Sequence, residues 1–183
     1  SEIKFQVMKR AIHILFFIAI AVQLSGQNFF REDFDPVKKY ILLANPTVKN
    51  IETINFLLNK KLIKINSRKI NFVGIYHENQ DYDFTETGRF IEKSNLDHFK
   101  LHEIRGDLHE NQLFEKNSIS DDLNFIFQHS VGTFFFGGDD IPPGVYGEDN
   151  SLSVVTESER HYFEITFLFH LLGGFQNEDF TPF

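Results

Sequence analysis

Apolar positions along this chain change their spacing from segment to segment. After Asn45-Pro46-Thr47, a helix-start signal, they recur at Val48, Ile51, Ile54, Phe56, Leu57 and Leu58, which is helical spacing. Lys60, Lys61 and Lys64 follow, where the helix dipole favours positive charge. Lys69–Tyr76 reads as a strand, Phe84–Ser94 as a short helix, and the weak alternation of His98–Ile104 as a second strand. Ser120-Asp121-Asp122 predicts the cap of a helix carrying Leu123, Phe125, Ile126 and Phe127. Val131–Phe136 is a continuous apolar run, the kind buried on both faces of a parallel sheet. Glu157–Leu172 predicts a last helix, ended by Gly173-Gly174. Val37–Ala44 fits either a strand or a short helix, and the pattern does not choose. Phe29–Asp35, polar and aromatic, is expected to be a surface arm.

Alternating strands and helices predict an α/β fold: a doubly wound, mainly parallel sheet with helices on both faces. Three strands stand out, where such sheets usually have about five or more. The sheet is therefore expected to be incomplete within this chain. There is no internal repeat and no low-complexity linker.

The amino terminus changes the domain picture. Met8-Lys9-Arg10 precedes the apolar run Ala11–Val22, and small and polar residues follow to Gln27. This is the order of a secretory signal peptide. The run is 12 residues long, against the ~20 needed to cross a bilayer. Residues 8–26 are thus expected to be a signal peptide cleaved near Gly26–Gln27, with an uncleaved membrane anchor as the alternative. Residues 1–7, upstream of a plausible start Met, are expected to be extraneous. Residues 27–183 would form the domain. Export, to the periplasm or outside the cell, is the localisation this implies.

Charge and composition narrow the chemistry. The formal charge is −8 and no basic cluster interrupts it, which argues against nucleic acid and anionic lipid as partners. There is no cysteine among the 183 residues, so disulfides, thiolate metal sites and a thiol nucleophile are excluded within them. The oligomeric state is not legible.

The segment richest in chemistry is Gly132–Gly147, G-T-F-F-F-G-G-D-D-I-P-P-G-V-Y-G. An apolar strand runs into a Gly-Gly turn, carboxylates and a proline-stiffened loop. Such a turn sets backbone N–H groups at the carboxyl end of a strand, where α/β enzymes hold substrates. By itself the Gly pair equally describes a strand-to-loop turn needing positive φ. Asp140 would orient the loop through backbone N–H groups or make an Asx turn. Pro142 and Pro143 stiffen the loop, and Tyr146 is expected to pack over it. Arg160 would bind a substrate carboxylate or pair with Glu157 or Glu164 on its own helix; the helical pair has the stronger prior.

Gly137-Gly138-Asp139-Asp140-Ile141-Pro142-Pro143-Gly144-Val145-Tyr146-Gly147-Glu148 resembles the G-G-x-D-(I/V)-x-P-x-x-Y-G-E signature of gamma-glutamyl-gamma-aminobutyrate hydrolase-like proteins, of the class I glutamine amidotransferase-like superfamily. Arg160-His161-Tyr162-Phe163-Glu164 resembles that family's R-D-x-F-E helix start, and the match spans Val131–Leu172. The resemblance implies a flavodoxin-like fold and a Cys-His-Glu triad. A thiolate attacks a gamma-glutamyl amide, and the thioester is then hydrolysed. It implies an oxyanion and substrate loop at Gly137, Gly138, Asp140 and Tyr146, a possible substrate contact at Arg160, and no cofactor. No catalytic triad residue can be assigned within the chain, so this piece alone is expected to be inactive. The chain departs from the family at Phe136, where relatives carry Pro, and at His161, where they carry Asp. Alternatives are a non-catalytic binding or structural relative and an ammonia-delivering amidotransferase domain. The signal peptide argues against the last.

Other constellations carry less. His98 and His102 are four apart with His109 nearby, but on a strand and loop that spacing does not make a metal site. Asp81, Asp83 and Glu86 lack the Gly and terminal Glu of a calcium loop. His161 and His170 fall half a turn out of phase on one helix. No phosphate-binding loop, serine elbow or zinc-protease motif is present.

Overall fold

The computed structural model describes residues 28–65, 70–138, 140–149, 153–155, 158–174 and 182. The signal-peptide segment lies outside them, as do Asp139 and Glu157. Four strands form one sheet: β1 (Lys39–Ala44), β2 (Ile70–His77), β3 (Phe99–Ile104) and β4 (Ser130–Phe134). Between and around them lie α1 (Phe29–Glu32), α2 (Val48–Asn59), α3 (Phe84–Lys93), α4 (Ser120–Gln128) and α5 (Ser158–Leu171). Short 3₁₀ turns occupy Glu110–Gln112 and Pro143–Tyr146. The strand order is β3-β2-β1-β4, and all pairings are parallel.

This is the expected flavodoxin-like, doubly wound α/β class. The period-two alternation of strand side chains builds one core on each face. Tyr40, Leu42, Val73, Ile75 and Ile104 pack with Leu123, Ile126 and Phe127 of α4 and with Phe163 and Phe167 of α5. Leu43, Phe72 and Phe99 point the other way, onto Ile51 and Ile54 of α2 and onto Phe90 and Ile91 of α3. The chain first winds outward from β1 to β3. It then crosses back over the opposite face through α4 to enter β4 on the other side of β1. The reversal of strand order thus lies between the carboxyl ends of β1 and β4, the crevice where open α/β sheets hold ligands.

The undecided Val37–Ala44 segment contains the central strand. Its Leu42, Leu43 and Ala44 are all 0 % exposed. Burial on both faces removes the polar alternation that marks a strand, which is why the pattern could not choose. The Phe29–Asp35 arm is also more than a surface feature. Phe29 and Phe30 are buried, α1 sits on the sheet, and Asn28 makes an antiparallel bridge to His102. Conversely, β4 is an edge strand of the described sheet, as is β3. Val131 is 55 % exposed and Phe135 is 40 % exposed, so this apolar run is not buried on both faces.

Side-chain caps start two of the helices, and the cap expected for a third does not form. Thr47 caps α2, its Oγ1 accepting the Asn50 N–H at 3.3 Å. Asp83 caps α3 by accepting the Thr85 N–H at 3.0 Å, and the hydrogen bond from the Thr85 hydroxyl, then that from its N–H, lowers the Asp83 pKa. Ser120 does not cap α4. It is the first helical residue, and its hydroxyl faces His170 instead, 2.7 Å from Nε2.

Candidate functional site

The site is built where β4 leaves the sheet. The β1–β4 ladder ends at Leu43 opposite Phe134. From Phe135 to Gly138 the chain runs on past the carboxyl edge, beside the strand-order reversal. Among glycines with positive φ, Gly147 is present at 81°, but Gly137 and Gly138 are not. The simple account of the pair as a positive-φ turn is therefore corrected.

Gly138 is crowded by a side chain and not by backbone. A Cβ built on it would stand 2.6 Å from Cζ of Arg160, inside the guanidinium. A Cβ on Gly137 would meet nothing within 4 Å. Arg160 is held in turn by Glu164, one helical turn on, with Nε donating to Oε1 at 3.0 Å. Only 12 % of the Arg160 side chain and 18 % of Glu164 are exposed. Of the helical pairs weighed for Arg160, the one with Glu164 is formed.

Asp140 acts on the loop at long range. Its Oδ2 accepts the Val154 N–H at 3.3 Å, tying the glycine loop to the strand of chain before α5. An Asx turn would need the N–H of residue 142, which is a proline and has none. Beyond it, Pro143 is buried and Val145 packs against the core. Tyr146 does not cover the loop: it is 61 % exposed, on the outer end of the Pro143–Tyr146 turn. Gly147 closes that turn in the left-handed conformation.

Glu110, which the sequence did not single out, lies beside the same loop. Its Oε1 would be 3.0 Å from a Cβ on Gly144. It also bonds the Tyr162 hydroxyl, whose pKa is raised by burial first and by Glu110 second. No spacing rule links residues 110, 144 and 162, so only the fold brings them together.

The imidazoles divide by what they touch. His77, at the carboxyl end of β2, faces the Gly106 carbonyl through Nε2 at 2.8 Å and accepts the Asn79 N–H at Nδ1, which assigns the Nε2–H tautomer. His102 accepts the Phe30 N–H at Nδ1, and burial lowers its pKa to about 4. His170 bonds Ser120 and the Thr166 carbonyl, and burial lowers its pKa. His161, beside Arg160, is 3 % exposed, and its Nε2 has no hydrogen-bond partner among the described residues. His98 stands in the loop before β3 and His102 inside it, and among the described residues no cluster of three metal-ligating side chains forms.

A pocket of about 600 Å³ opens at the opposite edge of the sheet, between the end of α2 and His98, lined in part by Asn55, Leu58, Lys61 and Ile65. It brings no acid–base pair together. No helix among the described residues is long and apolar enough to cross a membrane.

No family model matches the chain, and neither a curated protein nor a solved structure does.

Proposed function

We propose that this chain forms the oxyanion side of an exported, cysteine-dependent hydrolase of gamma-glutamyl amides. The observation that carries the reading is the position of Gly137 and Gly138. They leave β4 at the carboxyl edge of a parallel sheet, beside the reversal between β1 and β4, where backbone donors meet a bound ligand. The sequence resemblance over Val131–Leu172 supports the same chemistry.

In this reading a thiolate attacks the gamma-carbonyl carbon of the substrate. The carbonyl electrons move onto oxygen, and the backbone N–H groups of the glycine loop donate to that oxyanion. Removing one such donor typically costs a hundredfold to a thousandfold in rate, on the order of 3–4 kcal/mol. The tetrahedral intermediate then expels the amine, which takes a proton from a general acid. The resulting thioester is hydrolysed by water, releasing glutamate. The chain contains no cysteine, so the thiol and its His-Glu partners belong, in this proposal, to polypeptide outside these 183 residues. Asp140 and Arg160 shape the loop, and the apolar run at residues 11–22 directs export.

The test is the coding sequence following Phe183. A further strand ending in G-x-C-x-G is expected, with a His and a Glu beyond it. Protein carrying that region should release glutamate from gamma-glutamyl amides, and changing the elbow cysteine to alanine should abolish release. An open frame without such a cysteine, or turnover indifferent to its loss, overturns the reading in favour of a non-catalytic module.

A further inference from the structure

We infer that Glu164 is a positioning residue that fixes the direction of the Gly137–Gly138 backbone by holding the outer edge of the Arg160 guanidinium against Gly138. This rests on reading the glycine pair as the oxyanion side of the site.

Three observations converge. First, the loop needs support from outside the sheet. The β1–β4 ladder stops at Phe134, four residues before Gly138, and β4 is an edge strand of the described sheet. Second, the support is in contact. Both terminal nitrogens and Cζ of Arg160 crowd the face of Gly138 that a side chain would occupy. The guanidinium meets Gly138 with the edge that carries its two terminal nitrogens, a rigid planar fork that an ammonium lacks. Third, the guanidinium is itself held. Glu164 takes the Nε–H at 3.0 Å, and the pair is mostly withdrawn from water. A side chain with four torsions is thereby reduced to one orientation. Using Nε for the carboxylate leaves the outer edge of the guanidinium for the loop.

The consequence is a division of labour across α5. The hydrogen bond of Glu164 goes to Arg160 and not to the loop, yet it sets where the loop's amides point. Asp140 supplies the second restraint from the far side through Val154. An oxyanion donor misdirected by a fraction of an ångström loses much of its worth, so rigidity here is a catalytic property.

Amide hydrogen exchange on the purified 183-residue chain tests the clamp directly. Glu164→Ala should speed exchange in the peptide covering residues 135–141 about tenfold, while β1–β3 remain as protected as before. Arg160→Lys keeps a helical ion pair but loses the planar two-nitrogen edge, and should speed the same peptide to a similar extent. Glu164→Gln keeps an oxygen for Nε and should restore most of the protection. Unchanged loop exchange in Glu164→Ala, full protection in Arg160→Lys, or a loss spread evenly over α5 and the sheet would each overturn the inference. Glutamate release by the cysteine-bearing protein is read separately, with Glu164→Ala expected to lower kcat and leave KM nearly unchanged. A loosened loop in a protein that hydrolyses no gamma-glutamyl amide removes the catalytic reading and leaves the clamp. An unaltered loop in an active enzyme removes the clamp alone.

Discussion

Phe30 donates its backbone N–H to Nδ1 of His102 at 3.3 Å, joining residues 72 apart in sequence and fastening the amino-terminal segment to β3. The Phe30 ring stands edge-on to the same imidazole, 5.3 Å between centroids. Nδ1 can accept this bond only while it carries no proton.

Acid should therefore act on His102. Burial, then Arg31, lowers its pKa from 6.5 to about 4, against a smaller opposing effect of Asp122. The unfolded chain binds a proton more readily than the folded one between those values. The contribution is thus fully present above pH 6.5 and is lost progressively as pH falls towards 4. It amounts to about 3 kcal/mol at most. His170 and His98 are shifted in the same direction by burial and add to the slope. Thermal unfolding followed from pH 7 to pH 4.5 checks this. His102→Gln should flatten the pH dependence, because its amide oxygen accepts the Phe30 N–H without titrating. Equal slopes in the two proteins would refute it.

Phe30 should behave as a core residue. Its ring meets Phe29, Phe34, Tyr40, His102 and Phe125. Phe30→Ala is expected to cost about 3–5 kcal/mol, as aromatic truncations in cores do. Val37, seven residues on and 90 % exposed, is the control, and Val37→Ala should stay within about 0.5 kcal/mol. Urea midpoints measure both. Similar small effects at the two positions would mean that the segment is only an arm.

Ser120 offers a further stability test. Its Oγ accepts the Asn117 N–H at 2.8 Å and lies 2.7 Å from Nε2 of His170, with both side chains inaccessible to solvent. Although serine beside histidine is a nucleophile–base pair in other settings, burial of both excludes that use here. Ser120→Ala should destabilise by about 1–3 kcal/mol, because buried polar groups lose a partner that water does not replace. A change below about 0.5 kcal/mol in the denaturation midpoint would contradict the network.

What the sequence disclosed depends on how local the cause was. The α2 start at Thr47 and the α5 stop at Gly173 were legible because their causes lie within a few residues: a side-chain cap in one, a glycine at φ 83° in the other. The β1 strand was ambiguous because both faces are covered, and Phe29 and Phe30 were misread because their cover comes from residues far along the chain. The Gly-Gly turn was found, but its reason was not. The two accounts open to the sequence were a backbone angle and an unobstructed oxyanion donor; neither pointed to the guanidinium of Arg160, 22 residues later, which crowds Gly138. Glu110 left no local trace at all, since its partners at 144 and 162 meet it only in the folded state.

The two glycines should accordingly respond differently to the same change. Gly137→Ala puts a methyl group into open space at a position without positive φ, so stability should be unchanged or rise by up to about 1 kcal/mol, as removing glycine restricts the unfolded chain. Gly138→Ala drives Cβ into the guanidinium. Arg160 is flexible enough to withdraw, but only by giving up Glu164, so the cost should be about 1–2 kcal/mol. A double-mutant cycle separates the cause from any general dislike of alanine at the turn. In an Arg160→Ala background the methyl group has room, and Gly138→Ala should become nearly neutral. If Gly138→Ala is equally costly with and without Arg160, the crowding at this position does not explain the glycine, and the backbone itself must require it.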